Sequence, residues 1–84
     1  MNEKLLLMLE VPAISCEFEL LMPAAVPIKI LSSLCATAVI ELSNGLYCSS
    51  GKEFLCAVLQ DTVLDENSTL GEYPIQNGDH LMLL

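Results

Sequence analysis

The chain has 84 residues, 54% of them apolar, with eleven Asp/Glu against three Lys and a formal net charge of −8. A chain this long buries roughly 60–65% of its unfolded surface around one small core, and its apolar content excludes a disordered tail. Without any Arg it has no bidentate phosphate clamp, and its field repels nucleic acid and anionic lipid, so no nucleic-acid partner and no charge-driven membrane role is expected.

Met1 to Lys4 followed by Leu5 to Leu9 has the outline of a secretory leader. The apolar run is short, however, Glu10 follows at once, and no small-residue cleavage site precedes Cys16. No stretch approaches the roughly eighteen apolar residues that span a bilayer, so the expectation is a cytoplasmic protein without direct membrane insertion.

Residues 4–11 read as a strand that Pro12 stops. Residues 12–15 turn, and residues 16–22 alternate, with Glu17 and Glu19 on one side and Phe18 and Leu20 on the other. Pro23 ends this second arm of a hairpin. One helix follows. Pro27 suits its first turn. Ile28, Leu31, Leu34/Cys35, Ala38 and Leu42 draw an apolar stripe that Val39 and Ile40 widen, while Lys29, Ser32, Ser33, Thr37 and Glu41 fall opposite. Asn44-Gly45 supplies the stop, since glycine takes the left-handed conformation without strain.

Residues 46–52 read as a loop and 53–59 as a third strand. Gln60-Asp61 turns into a short strand at 62–64, then Asp65 to Ser68 form a polar loop. Ser68 or Thr69 can cap one helical turn over Leu70–Tyr73. Asn77-Gly78 makes a tight turn. Residues 80–84 form the last strand, with Leu81 and Leu83 on one side and His80, Met82 and Leu84 on the other. One helix on a mixed four- to five-stranded sheet is an economical α+β solution for a single domain spanning residues 1–84.

Little here suggests catalysis. Cys16, Cys35, Cys48 and Cys56 include no CxxC pair, and a zinc site would need thiols to converge from dispersed places, with His80 as the only histidine. An even cysteine count permits disulfides, but the irregular spacing favours free, mostly buried thiols. A Cys48–His80 or Cys56–His80 pair would need a pocket, and a plain surface histidine is the simpler reading. Asp65, Glu66 and Asp79 lack EF-hand spacing and read as solvated turns. Tyr73 reads as a hydrogen bond to a loop backbone. No catalytic, cofactor-binding or metal-binding residue is therefore expected.

Thr69-Leu70-x-x-Tyr73-x-Ile75, followed by a turn and a Leu-rich strand, resembles the ubiquitin-like β-grasp proteins. Glu17-Phe18-Glu19-Leu20-Leu21-Met22-Pro23 with Pro27-Ile28 and Leu31, and Ile75-x-Asn77-Gly78-Asp79-x-Leu81, resemble the small YukD/EsaB-type members that accompany WXG100 (type VII) secretion systems. The loop at 46–51 departs from that pattern. The resemblance implies a cytoplasmic accessory or regulatory component of such a system, with secretion components as protein partners. Conjugated modifiers and sulfur carriers need a flexible tail ending in Gly-Gly, whereas this sequence stops at Leu83-Leu84. The expectation is thus a non-enzymatic, non-conjugated interaction module. The alternatives are an adaptor unrelated to secretion, a domain of a larger membrane component, or a modifier-type protein whose tail is missing.

The first strand is apolar on both alternations, with Leu5, Leu7 and Leu9 on one and Leu6 and Met8 on the other. The resemblance puts the first and last strands side by side. Leu6, Met8, Met82 and Leu84 would then form one outer patch, which Leu55 or Ala57 extends and His80 borders. Exposed contiguous apolar surface marks a partner site, here for another protein or a second copy of this chain.

Overall fold

The computed structural model describes residues 3–84. Strand β1 runs Lys4–Val11 and β2 runs Cys16–Pro23. They pair antiparallel around a 3-10 turn at Pro12–Ile14, which Ser15 closes in the left-handed region at φ 53°. Helix α1 spans Ile28–Leu42, and β3 (Leu55–Ala57), β4 (Thr62–Val63) and β5 (His80–Leu83) follow. The five strands lie in the order β2-β1-β5-β3-β4, with β1 and β5 parallel and the other pairs antiparallel.

Pro27 stands at the N-cap, one residue before the first turn of α1. It offers no side-chain cap, and the segment at 65–69 supplies the acceptors instead. Ile28 N donates to the Ser68 carbonyl at 2.8 Å and Lys29 N to that of Glu66 at 3.0 Å. Orphan donors at a helix start need such partners. At the far end Asn44 and Gly45 both take positive φ, and Gly45 N donates to the Ile40 carbonyl at 2.9 Å, as the sequence suggested.

The buried stripe of α1 is rotated from the expected one. Ile28, Leu31, Ser32, Cys35, Ala36 and Val39 face the sheet, while Leu34 and Leu42 are 50% and 52% exposed. Ser32 enters the core because its hydroxyl donates to the Ile28 carbonyl one turn back at 2.9 Å, which satisfies the buried polar group. Val39 rather than Ala38 fills the centre of the interface.

The core lies between α1 and one sheet face. Leu7, Leu9, Val11, Leu55 and Leu81 are fully buried there, with Leu31, Val39 and Leu70 beneath the helix and its flanking turn. Each such side chain contributes about 1.5–3 kcal/mol of transfer free energy. All four cysteines are unpaired, but only Cys35 is buried; Cys48 is exposed, and Cys16 and Cys56 are half-buried. The thiol of Cys35 sits 4.0 Å from the Met22 sulfur, and burial pushes its pKa up to about 12.

Strand β3 is shorter than the expected span of 53–59 because both ends are diverted. The Glu53 carboxylate accepts from the Tyr47 hydroxyl at 2.8 Å and from Ser50 N at 2.9 Å, which ties that residue to the preceding loop. Asp61 N donates to the Val58 carbonyl at 3.2 Å, which starts a turn. Among the described residues no helix is long and apolar enough to cross a membrane.

Candidate protein-binding face

Register decides what the outer face of the sheet presents. Leu6, Met8 and Glu10 of β1 lie opposite Leu21, Glu19 and Glu17 of β2. On the other flank of β1, Met8 pairs with His80 and Glu10 with Met82. Their inward neighbours Leu7, Leu9 and Leu81 are fully buried, so period-two alternation turns this set outward. Leu6 is 42% and Leu84 45% exposed, and Met8 and Met82 are half-buried. Five of the six expected residues, Leu6, Met8, His80, Met82 and Leu84, are therefore brought to this face.

Leu55 is not among them. It pairs with inward Leu83, as Ala57 pairs with inward Leu81, and both β3 residues are buried under the helix. Cys56, opposite Met82, takes the outward position. Phe54 exchanges two 3.0 Å backbone hydrogen bonds with Leu84, and Val63 lies across from Cys56, so these extend the face instead. Leu21, 59% exposed, was also missed. The alternation of Glu17 and Glu19 already pointed to it, since Leu21 continues their side.

His80 lies within the face rather than at its border, because β5 is the middle strand. Its Nδ1 is 3.0 Å from Glu10 Oε2 and 4.0 Å from Glu17 Oε2. Its ring is engaged by acids, and neither Cys48 nor Cys56 is its partner.

The C-terminal motif holds the β5 end of this face in place. Thr69 N donates to the Glu72 carboxylate at 2.7 Å across the 3-10 turn Leu70–Glu72. Tyr73 Oη accepts from Asp65 N at 2.9 Å, as expected of a loop anchor. Asn77 Oδ1 accepts from Leu6 N at 2.8 Å, and Gly78 N, in a residue at φ 90°, donates to the Leu6 carbonyl at 2.8 Å. The Asn77-Gly78 turn thus docks directly on β1 and sets the parallel register.

No protein-family model matches this chain, and no characterised protein matches it by sequence. Solved structures do. The ubiquitin-like domain of EccD1, from the type VII secretion system of Mycobacterium tuberculosis, superposes with a TM-score of 0.76 at 14% identity, over 98% of each chain. This chain has the ubiquitin-like β-grasp fold. The EccD5 ubiquitin-like domain from Mycobacterium xenopi matches at 0.71 and 23% identity, over 98% of this chain and 93% of that one. A chain of the MycP5-free ESX-5 inner membrane complex matches at 0.71 and 18% identity over 96% of this chain, which spans only 20% of that longer one. A ubiquitin-like domain from Arabidopsis thaliana shares the fold too, at a TM-score of 0.68 and 17% identity over 98% of this chain and 77% of that one.

Two hollows flank the β-grasp core. One of about 300 Å³ lies by the start of α1 and mixes Lys29 and Lys52 with Glu53 and Glu66. Tyr47 and Glu53 close the loop beside it. Burial raises the Tyr47 phenol first, then its hydrogen bond to Glu53 and that carboxylate's charge, to about 12. For Glu53 burial is the largest influence and acts upward. Hydrogen bonds from Ser49, Tyr47 and the backbone of Glu53 and Ser50 together outweigh it and hold the carboxyl near 2. The other hollow, about 170 Å³, is an apolar groove between β2 and α1 lined by Leu21, Met22, Leu34 and Ala38 among others. His80 lines neither hollow, and the cysteine that lines the apolar groove is buried Cys35.

Proposed function

We propose that this ubiquitin-like protein is a non-enzymatic, non-conjugated interaction module that docks a protein partner through Leu6, Met8, Met82 and Leu84. We propose further that it serves on the cytoplasmic side as an accessory or regulatory component of a WXG100, type VII-like secretion system. The observation that carries the reading is the exposed apolar set on the outer sheet face, with Leu6 and Leu84 each over two-fifths exposed. Such a set adds nothing to the core, and methionine suits adaptable contacts. The secretion link is supported by the YukD/EsaB-like motifs together with the likeness to ubiquitin-like domains of EccD1 and EccD5.

The test is genetic. In a host that secretes WXG100 proteins, deleting the gene for this chain should lower their export. Wild-type chain should restore it, and the double variant Met8→Asp, Met82→Asp should not. Unchanged export on deletion sinks the secretion role. Restoration by the double variant sinks the face. The second reading, an adaptor unrelated to secretion, draws on the same fold in a ubiquitin-like domain from Arabidopsis thaliana. It predicts normal export together with loss of a different partner in the double variant. Intact mass of the chain isolated from its host should show no isopeptide-linked product.

A further inference from the structure

We propose that Glu10, Glu17 and His80 form a binding site for one first-row divalent transition-metal ion, with zinc as the representative. The three residues stand on three neighbouring strands, β1, β2 and β5, and their ligand atoms all lie within 4.8 Å of one another. Zinc–nitrogen and zinc–oxygen bonds of about 2.0–2.2 Å hold adjacent donors about 3–3.5 Å apart. His80 Nδ1 and Glu10 Oε2 are already 3.0 Å apart. Glu17 Oε2, at 4.0 Å from the same nitrogen, closes the triangle by a small side-chain rotation at an exposed strand position.

Charge supplies a second argument. Glu10 and Glu17 are direct cross-strand partners, and like charges so placed weaken a strand pair. The net charge is −8 with the histidine neutral, and among the described residues the only basic side chain within 4.0 Å of either carboxylate is His80, which carries charge only when protonated. A divalent ion would offset both carboxylates at once. The donor set chooses the metal class. One imidazole with two carboxylates suits zinc, cobalt or nickel, whereas calcium and magnesium take oxygen donors alone. Three protein donors leave one tetrahedral position open to water or to a side chain from a docked partner. The ion would sit between Met8 and Met82, but its binding is read on the isolated chain and does not depend on that docking.

Zinc titration of the full chain by calorimetry should give one ion per chain with a micromolar dissociation constant. His80→Asn and Glu17→Gln should each weaken it by about tenfold or more. Glu19→Gln, on the same strand but outside the cluster, and Cys48→Ser should leave it unchanged. The cobalt adduct should show ligand-field absorption without a thiolate charge-transfer band. Three results would overturn the site: no binding below millimolar zinc, equal loss in Glu19→Gln and Glu17→Gln, or binding that survives His80→Asn and disappears in Cys48→Ser. Glu17 and Glu19 are exposed, so their comparison stands even if His80→Asn perturbs the strand.

Discussion

Leu81 and Met82 are consecutive residues of β5, yet one is fully buried and the other only partly so. The same division runs through β1. Its inner face (Leu7, Leu9, Val11) is uniform in chemistry and sealed by the core, while its outer face carries Leu6 and Met8 beside Glu10. The inner face needs its residues for stability. The outer face holds apolar residues that the fold could replace, interleaved with titratable ones. Apolar surface that folding does not require is the kind available to a partner.

The sharpest way to break this comparison is to truncate both neighbours. Leu81→Ala should cost about 2–5 kcal/mol, because it removes a fully buried side chain and leaves a cavity. Met82→Ala should cost under about 1 kcal/mol. Urea unfolding would measure both, and equal losses would mean that Met82 belongs to the core. Next in size is Met8→Asp with Met82→Asp. Circular dichroism and cooperative unfolding should survive, with about 1–2 kcal/mol lost to poorer strand propensity and packing. Any dimer seen by light scattering should become monomer.

A polar anchor offers a contrast of another kind, since a carboxylate, held by the hydroxyl of buried Tyr47 and by Ser50 N, orders the entry to β3. Glu53→Gln should cost about 1 kcal/mol at neutral pH, discounted for a partly solvated group. Its folded pKa, near 2, lies below the ordinary 4.5. The contribution is therefore fully present above pH 4.5 and is lost as pH falls from about 4.5 towards 2. The wild type should lose stability through that window more steeply than Glu53→Gln. Parallel curves would show that the carboxylate is not the anchor.

Most of the architecture was legible in the sequence because local and global signals agreed. Prolines and Asn-Gly pairs bounded the hairpin, the helix end and the β5 turn, and alternation placed Leu81 and Leu83 inward. The errors arose where tertiary context overrode the local pattern. Leu34 and Leu42 looked like core, and Ser32 like surface, because hydropathy does not show that a serine can satisfy itself on the Ile28 carbonyl one turn back. Leu55 was put on the wrong face because a three-residue strand has too little alternation to fix its register, which Leu83 and Leu81 set from across the sheet. The cluster of Glu10, Glu17 and His80 was invisible for a similar reason: it joins residues 70 positions apart through strand order alone.

The smallest expected effect isolates that cluster. Glu17 faces Glu10, whereas Glu19, two residues on, faces Met8. In metal-free buffer at low salt, Glu17→Gln should stabilise the protein by a few tenths of a kcal/mol, since like charges directly opposite weaken a strand pair. Glu10 would keep its closer partner, His80 at 3.0 Å. Glu19→Gln removes the same charge from the same overall field without relieving that contact, so its effect should be smaller. The difference should shrink at 1 M salt, where screening reaches only about 3 Å. If the two variants are equally stabilised, net charge rather than the cross-strand contact governs this face. If Glu17→Gln is destabilised, its carboxylate contributes more through His80 than it loses against Glu10, and the repulsion argument fails.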